Sequence, residues 1–385
     1  MSRNLFSYGP TFSNHSCLNV QEFGIELPTL TDSNKHKVVI KEPIHFKHFH
    51  LLHQTQLALT MSHQHQLPID PYKHLDLVLN PNGTLTRLRY IPSSLPSSDP
   101  TLPVLTKDII INQQNNTSLR LFLPQTALSS NPNHQKLPLI FFFHGSGFIV
   151  TSAASTMFHD FCSAMSAAVP AVVASVDYRL APEHRLPAAY DDAVEVLEFV
   201  RNNPDEWLTK HADMGNCYIM GNSAGATIAY FAGLRVTDTV RDLEPLKIRG
   251  LILRQVFFGG VQRSESEVRL ENNESFPLCV SDLAWELALP VGADRDHEYA
   301  NPRAEKWVGK LGRVRDLGWR VLVSGNGGDI LIDREKELVE MLKEKGVEVV
   351  TDFDEEGGHG VEYGDESKAK QFIQVVKHFV SSTHV

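Results

Sequence analysis

Apolar and polar positions change rhythm along the chain. Residues 1–60 are polar and show no sustained period, with His36, His45, His48, His50 and His53 at irregular spacing. They read as a disordered extension, and irregular histidine spacing argues against a metal site. Glu22, Glu26, Asp32 and Glu42 are out of place in a transit peptide, which is poor in acids. Met61 is a candidate true start. From residue 74 the pattern becomes structural. Alternating runs at 74–80 and 85–90 flank Pro81-Asn82-Gly83, and runs at 108–112 and 118–123 flank Asn115-Asn116. Both patterns predict hairpins.

Further on, the rhythm is apolar strand, loop, helix. Leu137–Phe143 is apolar throughout, and runs at 172–176, 217–220, 250–253, 320–323 and 347–350 follow. Near-continuous apolar strands belong to a parallel sheet covered on both faces. Helical periodicity fills 154–168, 188–203, 224–235, 334–345 and 367–380. Hairpins first and βα units afterwards predict a mixed, mostly parallel α/β sheet with helices on both faces. The predicted domain covers residues 61–385, with cap elements from the N-terminal segment and from about 261–300.

Composition narrows the function. The chain has 385 residues, 42% hydrophobic and 21% charged, as expected of a soluble globular protein with a sizeable core. The net charge of −10 and the lack of a basic block argue against nucleic acid. No run reaches the ~18–20 apolar residues of a membrane span. The four cysteines, Cys17, Cys162, Cys217 and Cys279, form no CxxC pair, so neither zinc nor a disulfide framework is expected. With no secretory signal pattern, the expected compartment is cytoplasmic.

The sharpest chemical motif is Gly221-Asn222-Ser223-Ala224-Gly225. Alone, this spacing is common. Here a predicted strand leads in and a helix leads out, which is the context of a nucleophile elbow. His144-Gly145-Ser146-Gly147-Phe148 follows the strand 137–143, where backbone N–H groups can face a developing oxyanion. Ser146, Gly147 and Ala224 are the expected donors, and His144 is expected to hold the loop. A serine nucleophile needs a base and an acid that orients the base, in the order Ser, Asp/Glu, His on this scaffold. His359, in a glycine-rich loop between the last strand and the last helix, is the base candidate ahead of His297, His378 and His384. Asp329, in the loop after residues 320–323, is the acid candidate, and Asp333 reads as a helix N-cap. Phe148, Phe257, Phe258 and Trp285 are candidate lining residues of an apolar pocket, or else core.

Together these motifs resemble plant carboxylesterases of the hormone-sensitive-lipase-like group, which also contains the gibberellin receptors. The resemblance runs from about residue 70 to the C-terminus. Its further markers are Asp177-Tyr178-Arg179-Leu180-Ala181-Pro182-Glu183-His184, Phe257-Phe258-Gly259-Gly260 and the segment 292–297. It implies the α/β-hydrolase fold, no cofactor, a small-molecule ester substrate with a short acyl chain, and a triad of Ser223, His359 and Asp329. Residues 177–184 are structural on this reading. Ser146 stands where the family usually has Gly, Asn222 where it has Asp or Glu, and Ala226-Thr227 where Gly-Asn is common. The retained His359 argues against a receptor, which lacks that residue. A lyase, cyclase or transesterase on the same scaffold is the alternative, and the sequence leaves oligomeric state open.

Overall fold

Hydrophobic alternation sorts the side chains of the main strands onto the two faces of one eight-stranded sheet. The computed structural model describes residues 69–128, 135–203 and 205–382. In chain order its first elements are helix α1 (Pro71–His74) and strands β1 (Leu77–Leu79), β2 (Leu85–Arg87), β3 (Val104–Asn112), β4 (Thr117–Pro124) and β5 (Leu137–Phe143). Then come α2 (Thr156–Ala168), β6 (Val172–Asp177), α3 (Ala188–Asn202), α4 (Glu206–His211), β7 (Ala212–Asn222), α5 (Ala224–Val236) and β8 (Ile248–Arg254). The last are α6 (Glu265–Arg269), α7 (Leu278–Ala288), α8 (Glu305–Val308), α9 (Leu311–Asp316), β9 (Arg320–Asn326), α10 (Ile332–Glu344), β10 (Glu348–Asp354) and α11 (Glu366–Ser381). The expectation for residues 1–60 lies outside the described residues, as does the start of the domain up to residue 68.

Both predicted hairpins form. β1 and β2 make a separate two-stranded sheet, and the other eight strands pair in the order β10-β9-β8-β7-β5-β6-β4-β3. β4 runs antiparallel to both β3 and β6, while the pairs from β6 across to β10 are parallel. A period of two sends Leu139, Phe141 and Phe143 of β5 to one face and Ile140 and Phe142 to the other. The same alternation divides Cys217 and Ile219 from Tyr218 and Met220 in β7. Helices α3, α5 and α10 supply the first face's cover, and α2 and α11 the second's. All of α5 but Arg235 is buried, so it has no polar face to show.

Three differences from the sequence reading have physical reasons. β10 is an edge strand and none of its residues is fully buried, so it alternates with polar positions through to Asp354. Helices α4, α6, α8 and α9 are too short, at four to six residues, to show a period. Within the stretch about 261–300, α7 places Val280, Leu283, Ala284 and Leu287 inward at helical spacing. Among the described residues, no helix is long and apolar enough to cross a membrane.

Phe142 packs against Phe158 and Phe161 of α2, on the second face. Replacing Phe142 by Ala removes that contact and opens a void. The expected cost is about 3–5 kcal/mol of folding stability. Urea unfolding checks this: the midpoint should fall with an unchanged slope, and Phe142→Leu should fall less.

Candidate active site

β7 hands over to α5 through a single residue. Ser223 stands between Asn222 and Ala224 with φ 53° and ψ −124°, a region L-residues seldom occupy. Its N–H donates to the Arg254 carbonyl at 2.8 Å, and its own carbonyl accepts from Ala226 N–H at 2.9 Å. The turn closes only because Gly221 and Gly225 lack side chains. A Cβ on Gly221 would fall inside the Gly225 carbonyl, and one on Gly225 inside the Phe143 carbonyl. The result is a hydroxyl lifted off the carboxyl end of the central strands, where sites in open α/β sheets lie.

Two further loops leave the same end of the sheet. The loop after β9 carries Asp329, which is 1% exposed and accepts Leu331 N–H on Oδ1 at 3.1 Å. The loop after β10 carries His359. The two loops are tied by Gly327 N–H to the Asp354 carbonyl at 2.7 Å and Gly328 N–H to the Gly357 carbonyl at 3.0 Å. His359 Nδ1 lies 2.7 Å from Asp329 Oδ2, and its Nε2 lies 3.0 Å from Ser223 Oγ. The three residues singled out in the sequence are thus brought together in one line. Phe276 stacks on the imidazole with centroids 4.4 Å apart. Burial works against the imidazolium, but the Asp329 charge and its hydrogen bond, with Glu362 adding, raise the His359 pKa above its ordinary 6.5.

Asp333 is not the N-cap expected of it. Leu331 holds that position, and Asp333 lies within the first turn of α10, where its carboxylate accepts Ser266 N–H at 2.6 Å. His297 donates nothing to this site; its Nδ1 accepts Tyr299 N–H at 3.2 Å.

The loop 144–148 reaches Ser223 from β5. Ser146, Gly147 and Phe148 all have positive φ, 76°, 65° and 67°. Among the described residues, no acceptor takes the N–H groups of Ser146, Gly147 or Ala224. His144 is fully buried beneath the loop, stacked on Tyr178 at 4.3 Å, and burial pushes its pKa down to about 4. The Tyr178 hydroxyl donates to the His144 carbonyl at 2.8 Å, which anchors the loop to the segment 177–184. In the same segment Glu183 takes Arg87 at 2.8 Å, fastening the hairpin β1–β2.

A cavity of about 370 Å³ opens over Ser223 and His359. Its wall is mainly apolar, with Ile149, Val150, Met157, Phe158, Phe276 and Val280. The four aromatic residues proposed from sequence are not in that wall. Phe148, Phe257, Phe258 and Trp285 are each at most 1% exposed. Phe257 stacks on Trp285 at 4.6 Å, Phe148 packs on both, and Phe258 meets Tyr230 edge-on at 5.1 Å. All four are core: Phe257 and Trp285 back the loop 144–148 through Phe148, whose φ is positive, and Phe258 packs on Tyr230 and Phe231 of α5. Phe276 carried no sequence signal: it directly follows the polar run Glu271-Asn272-Asn273-Glu274-Ser275.

Beneath Asp329 lies a buried polar layer. Arg254 donates to Ser324 Oγ at 2.8 Å, Asn326 Oδ1 at 3.2 Å and Glu362 Oε2 at 3.3 Å. Glu335, fully buried, has no hydrogen-bond partner on either oxygen among the described residues and packs against Gly325, where a Cβ would intrude. Burial first, then the Asp329 charge, push its carboxyl well above the ordinary 4.5. The folded chain therefore holds a proton that the unfolded chain releases above about 4.5, so this group makes stability fall as pH rises. Glu335→Gln removes that dependence. In thermal melts its advantage over the wild type should be larger at about pH 8 than at about pH 5.

Comparison with known proteins identifies the family and the fold. A family model described as α/β hydrolase fold matches residues 140–362. Carboxylesterase 20 of Arabidopsis thaliana is 47% identical over 81% of this chain and 97% of its own. The 3-O-acetylpapaveroxine carboxylesterase CXE1 of Papaver somniferum is 46% identical over 81% of this chain and 97% of its own. Among solved structures, an esterase from the archaeon Pyrobaculum calidifontis superposes with a TM-score of 0.62 at 24% identity, covering 74% of this chain and 88% of that one. A fungal esterase from Rhizomucor miehei gives 0.63 at 19% identity, covering 83% and 92%. These two share the fold. The chain belongs to the α/β-hydrolase fold family and, within it, to the plant carboxylesterases of the hormone-sensitive-lipase-like group.

Proposed function

We propose that the chain hydrolyses carboxylic esters through an acyl-enzyme on Ser223. The observation that carries this reading is the line from Asp329 Oδ2 to His359 Nδ1 at 2.7 Å and from His359 Nε2 to Ser223 Oγ at 3.0 Å, under an apolar cavity. His359 takes the Ser223 proton as Oγ attacks the ester carbonyl. The unused N–H groups of Ser146, Gly147 and Ala224 receive the oxyanion. His359 then gives its proton to the departing alkoxide, and the alcohol leaves. Water, deprotonated by His359, attacks the acyl-enzyme, and His359 returns that proton to the departing Ser223 Oγ as the acid is released. Asp329 fixes the imidazole tautomer and stabilises the imidazolium.

A cavity of about 370 Å³ with aliphatic and aromatic walls suits a short acyl chain on a bulkier, largely apolar alcohol. The poppy relative, named for an acetyl ester, fits the same class. The unpaired thiols Cys162, Cys217 and Cys279 accord with a reducing, cytoplasmic setting.

Ser223→Ala should leave circular dichroism unchanged and reduce hydrolysis of p-nitrophenyl acetate and butyrate by about 10⁴-fold or more. Equal rates in the two proteins would remove Ser223 from the mechanism.

The pH profile follows from the raised His359 pKa. Only neutral imidazole accepts the serine proton, so kcat/KM should fall with decreasing pH around a midpoint above 6.5. The protonated form is the one the folded state favours. Its stabilising contribution is present below 6.5 and is lost as pH rises through the folded pKa, so loss of rate on the acid side should occur without unfolding. In Asp329→Asn the remaining activity should be small and its acid midpoint lower.

A further inference from the structure

The residue before the nucleophile joins the two halves of the site. Asn222 ends β7 and is 2% exposed. Its Nδ2 donates to Glu362 Oε1 at 2.8 Å and to the Tyr363 hydroxyl at 2.6 Å. Both acceptors lie in the short 3-10 turn Val361–Tyr363, which begins two residues after His359. Asn222 Oδ1 has no partner among the described residues, so the side chain acts here as a donor alone. One amide thus ties the strand end that carries Ser223 to the turn that follows His359.

The chemistry of the neighbours explains why an amide stands there. Glu362 is fully buried and its other oxygen takes Arg254, which faces Asn222 across the β7–β8 register. A carboxylate only accepts, so Glu362 needs a donor from β7, and Asn222 supplies it. An aspartate at this position would bring two carboxylates to hydrogen-bond distance in a buried layer. The layer already faces Asp329 from the β9 loop, Glu335 from α10 and, through Ser324, Asp352 from β10. Arg254 from β8 is the cation of this layer, with His359 at its edge. One of the two carboxyls would then have to keep a proton.

We propose that Asn222 is a positioning residue: by donating to Glu362 and Tyr363 it sets the distance and angle between Ser223 Oγ and His359 Nε2. The inference rests on the reading of Ser223 and His359 as the reacting pair. It requires that a change at Asn222 acts on kcat and leaves KM nearly alone, because Asn222 orients the reacting groups and offers substrate no donor.

The test compares wild type, Ser223→Ala, Asn222→Asp and the swap Asn222→Asp/Glu362→Gln on p-nitrophenyl butyrate, with folding followed by circular dichroism and thermal melts. The swap keeps the charge of the layer and reverses the direction of donation. Asn222→Asp should lower kcat by about 10- to 100-fold at pH 8 with KM within about twofold, since small misplacements of reacting groups cost rates of this size. Its rate relative to wild type should recover as pH falls and one carboxyl takes up a proton. The swap should return most of the lost kcat. Should Asn222→Asp not fold, Asn222→Ala, which removes the donors without adding charge, should show the same loss in kcat at unchanged KM. An active wild type, an inactive Ser223→Ala and folded Asn222 variants with wild-type kcat at every pH overturn this inference alone. So does a folded swap with no recovery. A wild type no faster than Ser223→Ala overturns the reading of the reacting pair and this inference with it.

Discussion

Everything at the carboxyl end of this sheet depends on one close approach of backbone to backbone. The first turn of α5 sits so near the ends of β5 and β7 that no side-chain atom fits at Gly221 or Gly225. A Cβ on Gly225 would meet the carbonyls of Phe143 and His144, the residues that open the loop carrying Ser146 and Gly147. The turn that raises Ser223 and the loop that presents free N–H groups are therefore held by the same contact. The positive φ of Ser223 is tolerated because hydrogen bonds to Arg254 and Ala226 fix the residue on both sides. Strain at one residue is offset by packing and hydrogen bonds around it.

A second constraint is electrostatic. The site stacks acids behind one imidazole: Asp329 touches it, Glu362 lies near, and Glu335 is buried beneath. Of these acids, among the described residues, only Asp329 forms a direct hydrogen bond to His359. Arg254 is the cation inside the layer; its terminal nitrogens donate to Ser324, Asn326 and Glu362, while its Nε has no partner among the described residues. Burial and the Asp329 charge push the Glu335 carboxyl well above its ordinary range, so it resists adding a further charge, while Asp329 and Glu362 raise the pKa of the imidazole. The imidazole is thereby kept avid for a proton, as the proposed first step of acyl transfer requires.

Support for the cavity comes from residues that never touch it. The stacked Phe257 and Trp285, with Phe148 against them, form an aromatic bed under the loop 144–148. The cavity wall is made by other residues, Phe276 above all, which also lies flat on His359. The aromatic residues of the bed thus support the loop, and the aromatic ring stacked on the imidazole, Phe276, lies between Phe257 and Trp285 in the chain at the end of a polar stretch.

Local rules were enough for the strands, the main helices and the three residues in line at the site. Apolar runs of about six residues, glycine-rich turns after strands and the order Ser223, Asp329, His359 depend on neighbours along the chain, and such neighbours are visible in one dimension. What only the tertiary structure decided is whatever depends on which face of an element meets another. Phe148 packed into the core on Phe257 and Trp285, and Phe276 reached His359 because α7 and the loop before it fold over the sheet end. Asp333 became a partner of Ser266 because α6 packs on the start of α10. Asn222 and Glu362, 140 residues apart in sequence, met because β7 and the turn after His359 end at the same edge of the sheet. A residue's type states what it can donate, accept or bury. Its partner is fixed only when the sheet is assembled and burial makes every unmet polar group costly.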